Sequence, residues 1–345
     1  MHCRATITMV MLVLLCAAPA AATSITGTVR NNTTGHPAAG DDVILLRLAH
    51  GMEQEEARTK TDAQGAFLLR VSLPEVPHVV RVFHQGVNYD ETVSGTAPVQ
   101  LTVFNAVPRI PGLSGNLGIV QVASEGTTLK VTEMYAITNA SSPPVTQSDE
   151  RNFEFSLGPT GVLNSFKVKH PAGVWVNVSP LPMQHQKGRF RVNFPLRPGT
   201  TFFRFVYSLP SAGSTTLRLE LPYPIWNFGV LHPPSMSFTA VPPAAFRSPG
   251  LVRGLRLEQA VTQPLVGRVP AFTLYGSGMA PPIVLPENRP TLLSTTPADR
   301  NPRLAQANAG AKTSRQTNNT LWIMLAALVA VSAVFAYAAW RRGQF

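Results

Sequence analysis

The 345-residue chain has few cysteines and few charged residues. Its two cysteines, Cys3 and Cys16, lie within the first sixteen residues, so no disulfide framework holds the rest of the chain together. Charged residues make up 14% of the chain, against about 25% in a typical globular protein, which excludes a long coiled coil. The 44% hydrophobic content excludes a disordered polyelectrolyte. With 31 Pro and 25 Gly, the chain is also poorly suited to long helices.

The N-terminal residues have the pattern of a secretory signal peptide. A weakly basic start is followed by an apolar run over residues 5–16 and by small residues at 20–22, which is the order of regions found in signal peptides. We therefore expect a signal peptide over residues 1–22. A lipoprotein signal ending at Cys16 is the alternative, but Leu15 stands where a lipobox has a small residue.

The C-terminal residues predict a single transmembrane helix. Residues 321–340 carry no formal charge, and at about 1.5 Å per residue they span about 30 Å, the thickness of the hydrocarbon core. Trp322 and Trp340 stand at the two ends, where aromatic side chains favour the membrane interface. Together with the signal peptide, this segment predicts a single-pass protein of the cytoplasmic membrane. Its bulk would be extracytoplasmic (periplasmic in a Gram-negative cell), with residues 341–345 as a cytoplasmic tail.

Between the two ends, alternating apolar and polar residues predict short strands. Phe203, Phe205 and Tyr207 alternate with Arg204 and Val206, and Leu217, Leu219 and Leu221 show the same period. A strand with one buried face has this period of two. Because Gly, Pro, Asn and Ser separate such strands at close spacing, we predict an all-β fold of antiparallel sandwiches.

The predicted strands fall into two regions followed by a stalk. Residues 24–103 form the first β-sandwich, and residues 104–278 form a second β-sandwich region, either one large sandwich or two small ones. A hairpin is expected around residues 124–126. From Pro222 onward, frequent prolines restrict the expected strands to sheet edges or short pieces. Residues 279–320 are rich in Pro, Ala, Asn and Thr, which is typical of an extended stalk.

The first sandwich carries the motif order G-x-V, TG-x-P, G-x-x-V and TD-x-x-G-x-F. In these motifs the chain resembles the carboxypeptidase regulatory-like domain of bacterial membrane-anchored proteins, a small transthyretin-like β-sandwich. The matching residues are Gly27, Val29, Thr34, Gly35, Pro37, Gly40, Val43, Thr61, Asp62, Gly65 and Phe67, with Gly86 and Tyr89 at the family's closing Gly-Tyr. The resemblance covers less than a quarter of the chain and implies a fold rather than an activity, because such modules are accessories on many exported proteins.

One fragment has the spacing of a metal site. His50-Gly51-Met52-Glu53 fits H-x-x-E, with which zinc carboxypeptidases bind their metal together with a distant second His. The fragment lies in the accessory-like module, and the sequence shows no α/β catalytic domain to complete a site. P-loop, C-x-x-C, H-E-x-x-H and EF-hand motifs are absent from the sequence. The sequence therefore predicts no catalytic residue, metal or cofactor, and a zinc carboxypeptidase-like hydrolase is a remote alternative.

Positive charge is concentrated in the second half of the chain. Residues 1–180 carry 12 basic and 14 acidic side chains, whereas residues 181–345 carry 17 and 4. If the strands that carry them are neighbours, four arginines share one polar face, which Lys167 and Lys169 extend. These four residues are Arg189, Arg191, Arg204 and Arg218. We predict a basic interaction face for an anionic partner, with an ordinary solvated face as the alternative.

These features predict a membrane-tethered exported protein with a non-catalytic binding or scaffolding role. Its partner would be a glycan, an envelope component or a membrane protein complex. The alternative is an accessory subunit of an exported enzyme. Nucleic acid is not an expected partner, because an exported protein does not encounter it.

Overall fold

The protein is seen here in a computed structural model that describes residues 23–49, 52–171 and 173–281. The predicted signal peptide (1–22) and transmembrane helix (321–340) lie outside the described residues, as does most of the predicted stalk. Within the described part, no helix is long and apolar enough to cross a membrane. Apart from one 3-10 turn at Pro243–Ala245, these residues form strands, turns and loops, so the fold is all-β as predicted.

Eight strands make up the first unit, and they form two sheets. The strands are β1 (Ser24–Asn31), β2 (His36–Pro37), β3 (Asp42–Ala49), β4 (Met52–Lys60), β5 (Ala66–Arg70), β6 (His78–His84), β7 (Val87–Val93) and β8 (Val99–Val103). In one sheet β1 pairs with β2 and β5 antiparallel and with β8 parallel, and in the other the order is β4-β3-β6-β7. Buried side chains from both sheets form one hydrophobic core that extends from Ile25 to Val103.

Close packing explains why glycine occupies two positions of the first unit. A Cβ atom on Gly27 would lie 2.4 Å from the Val99 carbonyl oxygen and 2.4 Å from Cζ of Phe67. Gly65 has a φ of +72°, and a Cβ atom there would lie 2.4 Å from the Val29 carbonyl oxygen. Only glycine avoids both the contact and the unfavourable backbone angle at such a position.

The turn before β5 is closed by side-chain hydrogen bonds. Oδ1 of Asp62 accepts hydrogen bonds from the backbone N–H groups of Gln64 (2.9 Å) and Ala66 (2.8 Å), the arrangement of an Asx turn. Oγ1 of the buried Thr61 accepts a hydrogen bond of 2.9 Å from the backbone N–H of Asp41. Asp62 therefore closes the turn that leads into β5, while Thr61 links the residue after β4 to the residue before β3.

Sixteen further strands make up the second unit. They are β9 (Ala106–Val107), β10 (Ser114–Glu125), β11 (Thr128–Asn139), β12 (Thr146–Gln147), β13 (Phe153–Ser156), β14 (Val162–Lys169), β15 (Val176–Asn177), β16 (Leu181–Pro182), β17 (Arg189–Val192), β18 (Gly199–Pro210), β19 (Ser214–Leu217), β20 (Phe228–His232), β21 (Ser237–Val241), β22 (Phe246–Val252), β23 (Leu255–Ala260) and β24 (Ala271–Tyr275). An eight-stranded sheet has the order β15-β14-β18-β11-β10-β20-β23-β22. The orders of the smaller sheets are β12-β9, β13-β17-β16 and β19-β24-β21.

A single contiguous hydrophobic core joins these sheets, from Ile110 to Leu274. Aromatic rings dominate its centre, where Phe153 and Phe203 stack with their ring centroids 4.0 Å apart. The expected hairpin is present: β10 pairs antiparallel with β11, and Gly126 takes a φ of +57° in the turn. After Pro222 the strands are short, as predicted, but β20 lies in the interior of the eight-stranded sheet rather than at an edge.

The two units are joined by hydrogen bonds and a cation–π contact. The hydroxyl of Tyr89, on β7, lies 2.9 Å from Oγ1 of the fully buried Thr146, on β12. The Arg197 guanidinium lies 4.7 Å from the centre of the Tyr89 ring, and its Nη2 donates to the carbonyl oxygen of Asn88. Tyr89 therefore belongs both to the core of the first unit and to the junction with the second unit.

The last described residues dock against β10. Ser124 and Gly278 exchange backbone hydrogen bonds of 2.9 and 3.3 Å. Nε2 of Gln121 donates a hydrogen bond of 2.7 Å to the carbonyl oxygen of Pro281. Because Val120 and Val122 point into the core, the intervening Gln121 lies on the opposite, outer face of the eight-stranded sheet.

Candidate functional site

A cavity of about 600 Å³ opens on the outer face of the eight-stranded sheet, beside the β10–β11 hairpin. Its lining comes from four adjacent strands, β10, β11, β18 and β14, and consists largely of polar and charged side chains. The lining residues are Glu125, Thr128, Lys130, Asn164, Ser165, Arg204, Val206 and Ser208. The strands β18 and β11, at the centre of this region, are among the longest of the fold, so the floor of the cavity is a continuous hydrogen-bonded ladder.

Strand alternation places Arg204 in this cavity. Phe203, Phe205 and Tyr207 of β18 are buried in the core, so the residues between them point to the outer face. The ladder pairs Arg204 with Lys167 of β14. This row of the sheet is electropositive because two cationic side chains are directly opposed, and the two charges repel each other.

Among the residues that the structure describes, Arg204 has no counter-ion. Its Nε atom is buried and without a hydrogen-bond partner, and in the described part of the chain its guanidinium forms no ion pair. Burial lowers the pKa of Arg204 because it disfavours the charged form. A buried donor without a partner is costly, so the cavity contains a cation whose hydrogen-bonding capacity is unused.

The other three predicted arginines lie elsewhere. Arg189 and Arg191 are on β17, where Arg189 forms an ion pair of 2.9 Å with Glu220 and Arg191 one of 2.6 Å with Glu150. Arg218 is exposed and follows the end of β19. Arg189 and Arg191 thus share one small sheet, Arg204 lies in the eight-stranded sheet, and Arg218 lies outside any strand.

Arg189 and Arg191 do not share a face with Arg204 because β18 has no free edge with which β17 could pair. Along its length β18 pairs with β11 on one side and with β14 on the other, while β17 pairs with β13 and β16. The neighbouring strands that a shared four-arginine face requires are therefore not present. Of the predicted extension, Lys167 does lie beside Arg204.

Lys130 and the uncharged lining of the cavity were not predicted from the sequence. Lys130 lies on β11 directly opposite Ser208 of β18. The alternation around Lys130 indicates that it is on the polar face of a hairpin, but nothing local to residues 128–131 specifies that a strand 70 or more residues later lies next to it. The missing information was the strand pairing, not the chemistry of the residues.

A buried carboxyl group forms a second cluster of unusual polarity. Glu133 is 3% exposed in the core of the second unit, and it accepts hydrogen bonds from the hydroxyls of Tyr135 (2.5 Å) and Tyr207 (2.7 Å). Burial raises the pKa of Glu133 to about 7, against the opposing effect of the two tyrosine hydrogen bonds. All three side chains are buried, so the cluster is a structural one, closed to a substrate.

Ser248, His232 and Glu258 lie close together near β20, but their order of hydrogen bonding is not that of a catalytic triad. Nε2 of His232 lies 3.3 Å from Oε1 of Glu258, and Nδ1 lies 3.0 Å from the Pro233 carbonyl oxygen. Ser248 donates its hydroxyl hydrogen bond to Glu258 and not to His232. In a catalytic triad the His lies between the Ser and the carboxylate, so this arrangement does not activate Ser248.

The H-x-x-E fragment lies partly outside the described residues. Glu53 is on β4, and its carboxylate forms an ion pair of 2.9 Å with Arg81, which satisfies its charge within the sheet. Among the described residues, no group of three or more His, Cys, Asp or Glu side chains is arranged to hold a metal ion.

Comparisons with known proteins add little to this geometry. No protein-family profile matches the chain, and no curated protein sequence matches it. Among solved structures, an M1 zinc metallopeptidase from Deinococcus radiodurans is similar over 48% of this chain and 43% of its own, with 16% identity and a TM-score of 0.28. The match therefore spans less than half of that peptidase, and at this TM-score it carries no argument about function.

Proposed function

We propose that this chain is an exported, membrane-tethered, non-catalytic binding protein whose interaction surface is the outer face of the eight-stranded sheet. In this proposal residues 1–22 are a signal peptide and residues 321–340 are the membrane anchor. The partner is an anionic glycan of the cell envelope, and the body lies outside the cytoplasm.

The first unit is, in this proposal, a transthyretin-like accessory sandwich of the carboxypeptidase regulatory-like type. Support comes from the structural roles of the motif residues, which are to shape turns and close contacts. Gly27 packs under Phe67, Gly65 takes a positive φ, and Asp62 closes the turn before β5. None of these residues contributes to the cavity on the second unit, which fits an accessory role for the first.

The observation that carries the binding role is the uncompensated Arg204. Arg189 and Arg191 are paired with carboxylates, whereas Arg204 and its neighbours Lys130 and Lys167 have no carboxylate partner in the described structure. A partly buried guanidinium without a partner is energetically costly unless another group pairs with it. A ligand anion would supply the missing partner.

Binding of the full-length chain, purified in detergent, to isolated envelope glycan tests this role. We expect the chain to be retained on acidic glycan and released by salt, since the contact is ionic. Simultaneous Lys130→Gln, Lys167→Gln and Arg204→Gln substitutions should abolish retention, while the matched triple change of Arg218, Arg253 and Arg256 to Gln should not. Stoichiometric recovery of an enzyme in place of glycan would overturn the proposal and favour the accessory-subunit alternative.

Cell fractionation tests the topology separately. A chain that lacks residues 321–345 should move from the membrane to the extracytoplasmic fraction. If the truncated chain stays in the cytoplasm, the proposed signal peptide is wrong.

A further inference from the structure

We infer that the cavity on β10, β11, β18 and β14 binds an acidic sugar, with Arg204 as the ligand for its carboxylate and Lys130 as a second cation. The inference rests on the proposed binding function and deepens it by naming the chemical class of the ligand. It follows from the fork geometry of Arg204, from the uncharged lining and from the position of one acidic residue.

Arg204 fits a planar anion. A guanidinium presents parallel N–H donors that match the two oxygens of a carboxylate, and its Nε–H is already desolvated and free of any protein acceptor. Lys130 lines the same cavity from the adjacent strand β11. Two cations around one cavity favour an anion, and the fork on one of them favours an oxyanion with two coplanar oxygens.

The uncharged lining fits hydroxyl groups. Thr128, Ser165 and Ser208 each offer a hydroxyl that both donates and accepts, and Asn164 offers an amide. Oγ of Ser208 donates a hydrogen bond of 2.9 Å to Oδ1 of Asn164, which leaves the Asn164 amide N–H donors and the Ser208 lone pairs for a ligand. A sugar ring carries several hydroxyls with the same dual capacity, so it can pair with most of this lining.

Glu125 limits the charge of the ligand. Its exposed carboxylate lines the cavity at the end of β10, where it repels a second negative charge on the ligand. A single carboxylate is therefore preferred to a dianionic phosphate, while the Glu125 oxygens can accept hydrogen bonds from sugar hydroxyls. The cavity volume of about 600 Å³ lies within the range of about 300–1,000 Å³ typical of small-molecule sites.

Titration of four small probes against the full-length protein in detergent tests the ligand class. Ligand-observed NMR is suited to weak binding and would compare sodium glucuronate, glucose, sodium acetate and glucose 6-phosphate. We expect glucuronate to bind about tenfold or more tightly than each of the other three, because each lacks the carboxylate, lacks the hydroxyls or adds a charge. Equal binding of acetate and glucuronate would overturn the sugar assignment, and equal binding of glucose would overturn the anion assignment.

Three single variants locate the site. Arg204→Gln should weaken glucuronate binding about tenfold or more, whereas Arg218→Gln, an exposed arginine outside the cavity, should leave binding unchanged. Glu125→Gln should raise the affinity for glucose 6-phosphate relative to glucuronate several-fold, because the repulsion is removed. If Arg204→Gln fails to fold, Lys130→Gln takes its place, with an expected loss of several-fold. Unchanged glucuronate binding in a folded cavity variant would overturn the inference.

The results of these experiments distinguish a failure of the sugar-site inference from a failure of the proposed function. If a folded Arg204→Gln protein no longer binds glucuronate but is still retained on envelope glycan, the cavity is a sugar site and another surface contributes to the function. If the wild-type chain is retained on glycan without binding glucuronate, the sugar-site inference is wrong and the proposed function stands. If it binds neither, both are wrong.

Discussion

At the scale of single residues, the second unit contains two ionisable groups that are removed from water in different ways. Glu133 is fully enclosed and receives a hydrogen bond on each carboxyl oxygen. Arg204 is only partly enclosed, and its buried Nε has no acceptor. The fold itself therefore satisfies Glu133, but it leaves the Nε–H of Arg204 without an acceptor among the described residues.

An unpartnered buried donor should reduce stability. We expect Arg204→Met, which keeps an unbranched side chain but removes the guanidinium, to raise the free energy of unfolding by about 1 kcal/mol. Urea denaturation of the full-length protein in the absence of ligand measures this change. Arg218→Met is the control and should change stability by less than about 0.5 kcal/mol, because Arg218 is exposed. A clear loss of stability in Arg204→Met would mean that the guanidinium stabilises the apo protein.

Glu133 should make stability depend on pH. Its pKa is raised to about 7 in the folded protein from the ordinary value of 4.5, so between these values the folded state holds a proton that the unfolded state has released. The stabilising effect of this proton is complete below about pH 4.5 and is lost as the pH rises to about 7. By this shift the loss is about 3 kcal/mol at most.

Substitution of Glu133 isolates this effect. We expect the stability of Glu133→Gln, relative to wild type, to increase from pH 5 to pH 8 by up to about 3 kcal/mol, because glutamine does not titrate. Thermal or urea unfolding across that pH range measures the difference. A flat profile for Glu133→Gln would mean that Glu133 is ionised at low pH in the folded protein.

At the scale of strands, alternation in the sequence identified which residues face the core but not which strands are neighbours. The predicted apolar faces at Phe203, Phe205 and Tyr207, and at Leu217, Leu219 and Leu221, are buried. In contrast, β10 pairs parallel with β20, over 100 residues further along the chain. A period of two specifies the side of a strand that is buried, while its partner depends on the packing of the whole core.

The prolines after Pro222 limit strand length, as predicted, without determining where a strand lies in its sheet. Pro224 and Pro233 lie outside β20, on either side of Phe228–His232. The five residues of the strand therefore keep all their backbone N–H donors, and the strand can occupy the interior of the sheet. The candidate site shows the same dependence on long-range pairing. The sequence indicated that Arg204 lies on a polar face, but its separation from Arg189 and Arg191 depends on which strands pair.

Gly27 provides a test of strand packing in the first unit. We expect Gly27→Ala to lower the free energy of unfolding by about 3 kcal/mol or more, since its Cβ would lie 2.4 Å from a backbone oxygen and a ring carbon. Gly40→Ala is the matched control, because Gly40 has a φ of +81° but no atom within 4 Å of the added Cβ. Its cost should be about 1 kcal/mol from backbone strain alone. Equal effects in chemical denaturation would mean that β1 moves to accommodate the methyl group.

At the scale of the whole molecule, the two cores are linked by polar contacts that are themselves buried. Thr146 has no exposed surface and Tyr89 is 4% exposed. Burial raises the pKa of Tyr89, so the hydroxyl remains a neutral hydrogen-bonding group at physiological pH. A hydrogen bond in such surroundings links the units more effectively than one exposed to water.

A double-mutant cycle measures this link. Tyr89→Phe and Thr146→Val should each lower the free energy of unfolding by about 1–2 kcal/mol, and the double variant should lose about 1 kcal/mol less than the sum. Calorimetry should also show whether one unfolding transition divides into two. The control pair is Thr216→Val and Thr273→Val, whose hydroxyls meet at 2.8 Å on an exposed surface, and its coupling should be close to zero. Additive effects at Tyr89 and Thr146 would contradict a coupled junction.

The contact between Gln121 and Pro281 bears on how the proposed membrane tether would affect ligand binding. Gln121 and Arg204 lie on the same side of the eight-stranded sheet, so the described chain ends on the side that carries the cavity. With the anchor proposed above, the effective concentration of a ligand at the cavity is set by how far residues 282–320 reach. Ligands fixed to the same membrane and free ligands in solution would then be sampled at different effective concentrations, even with identical contacts in the cavity.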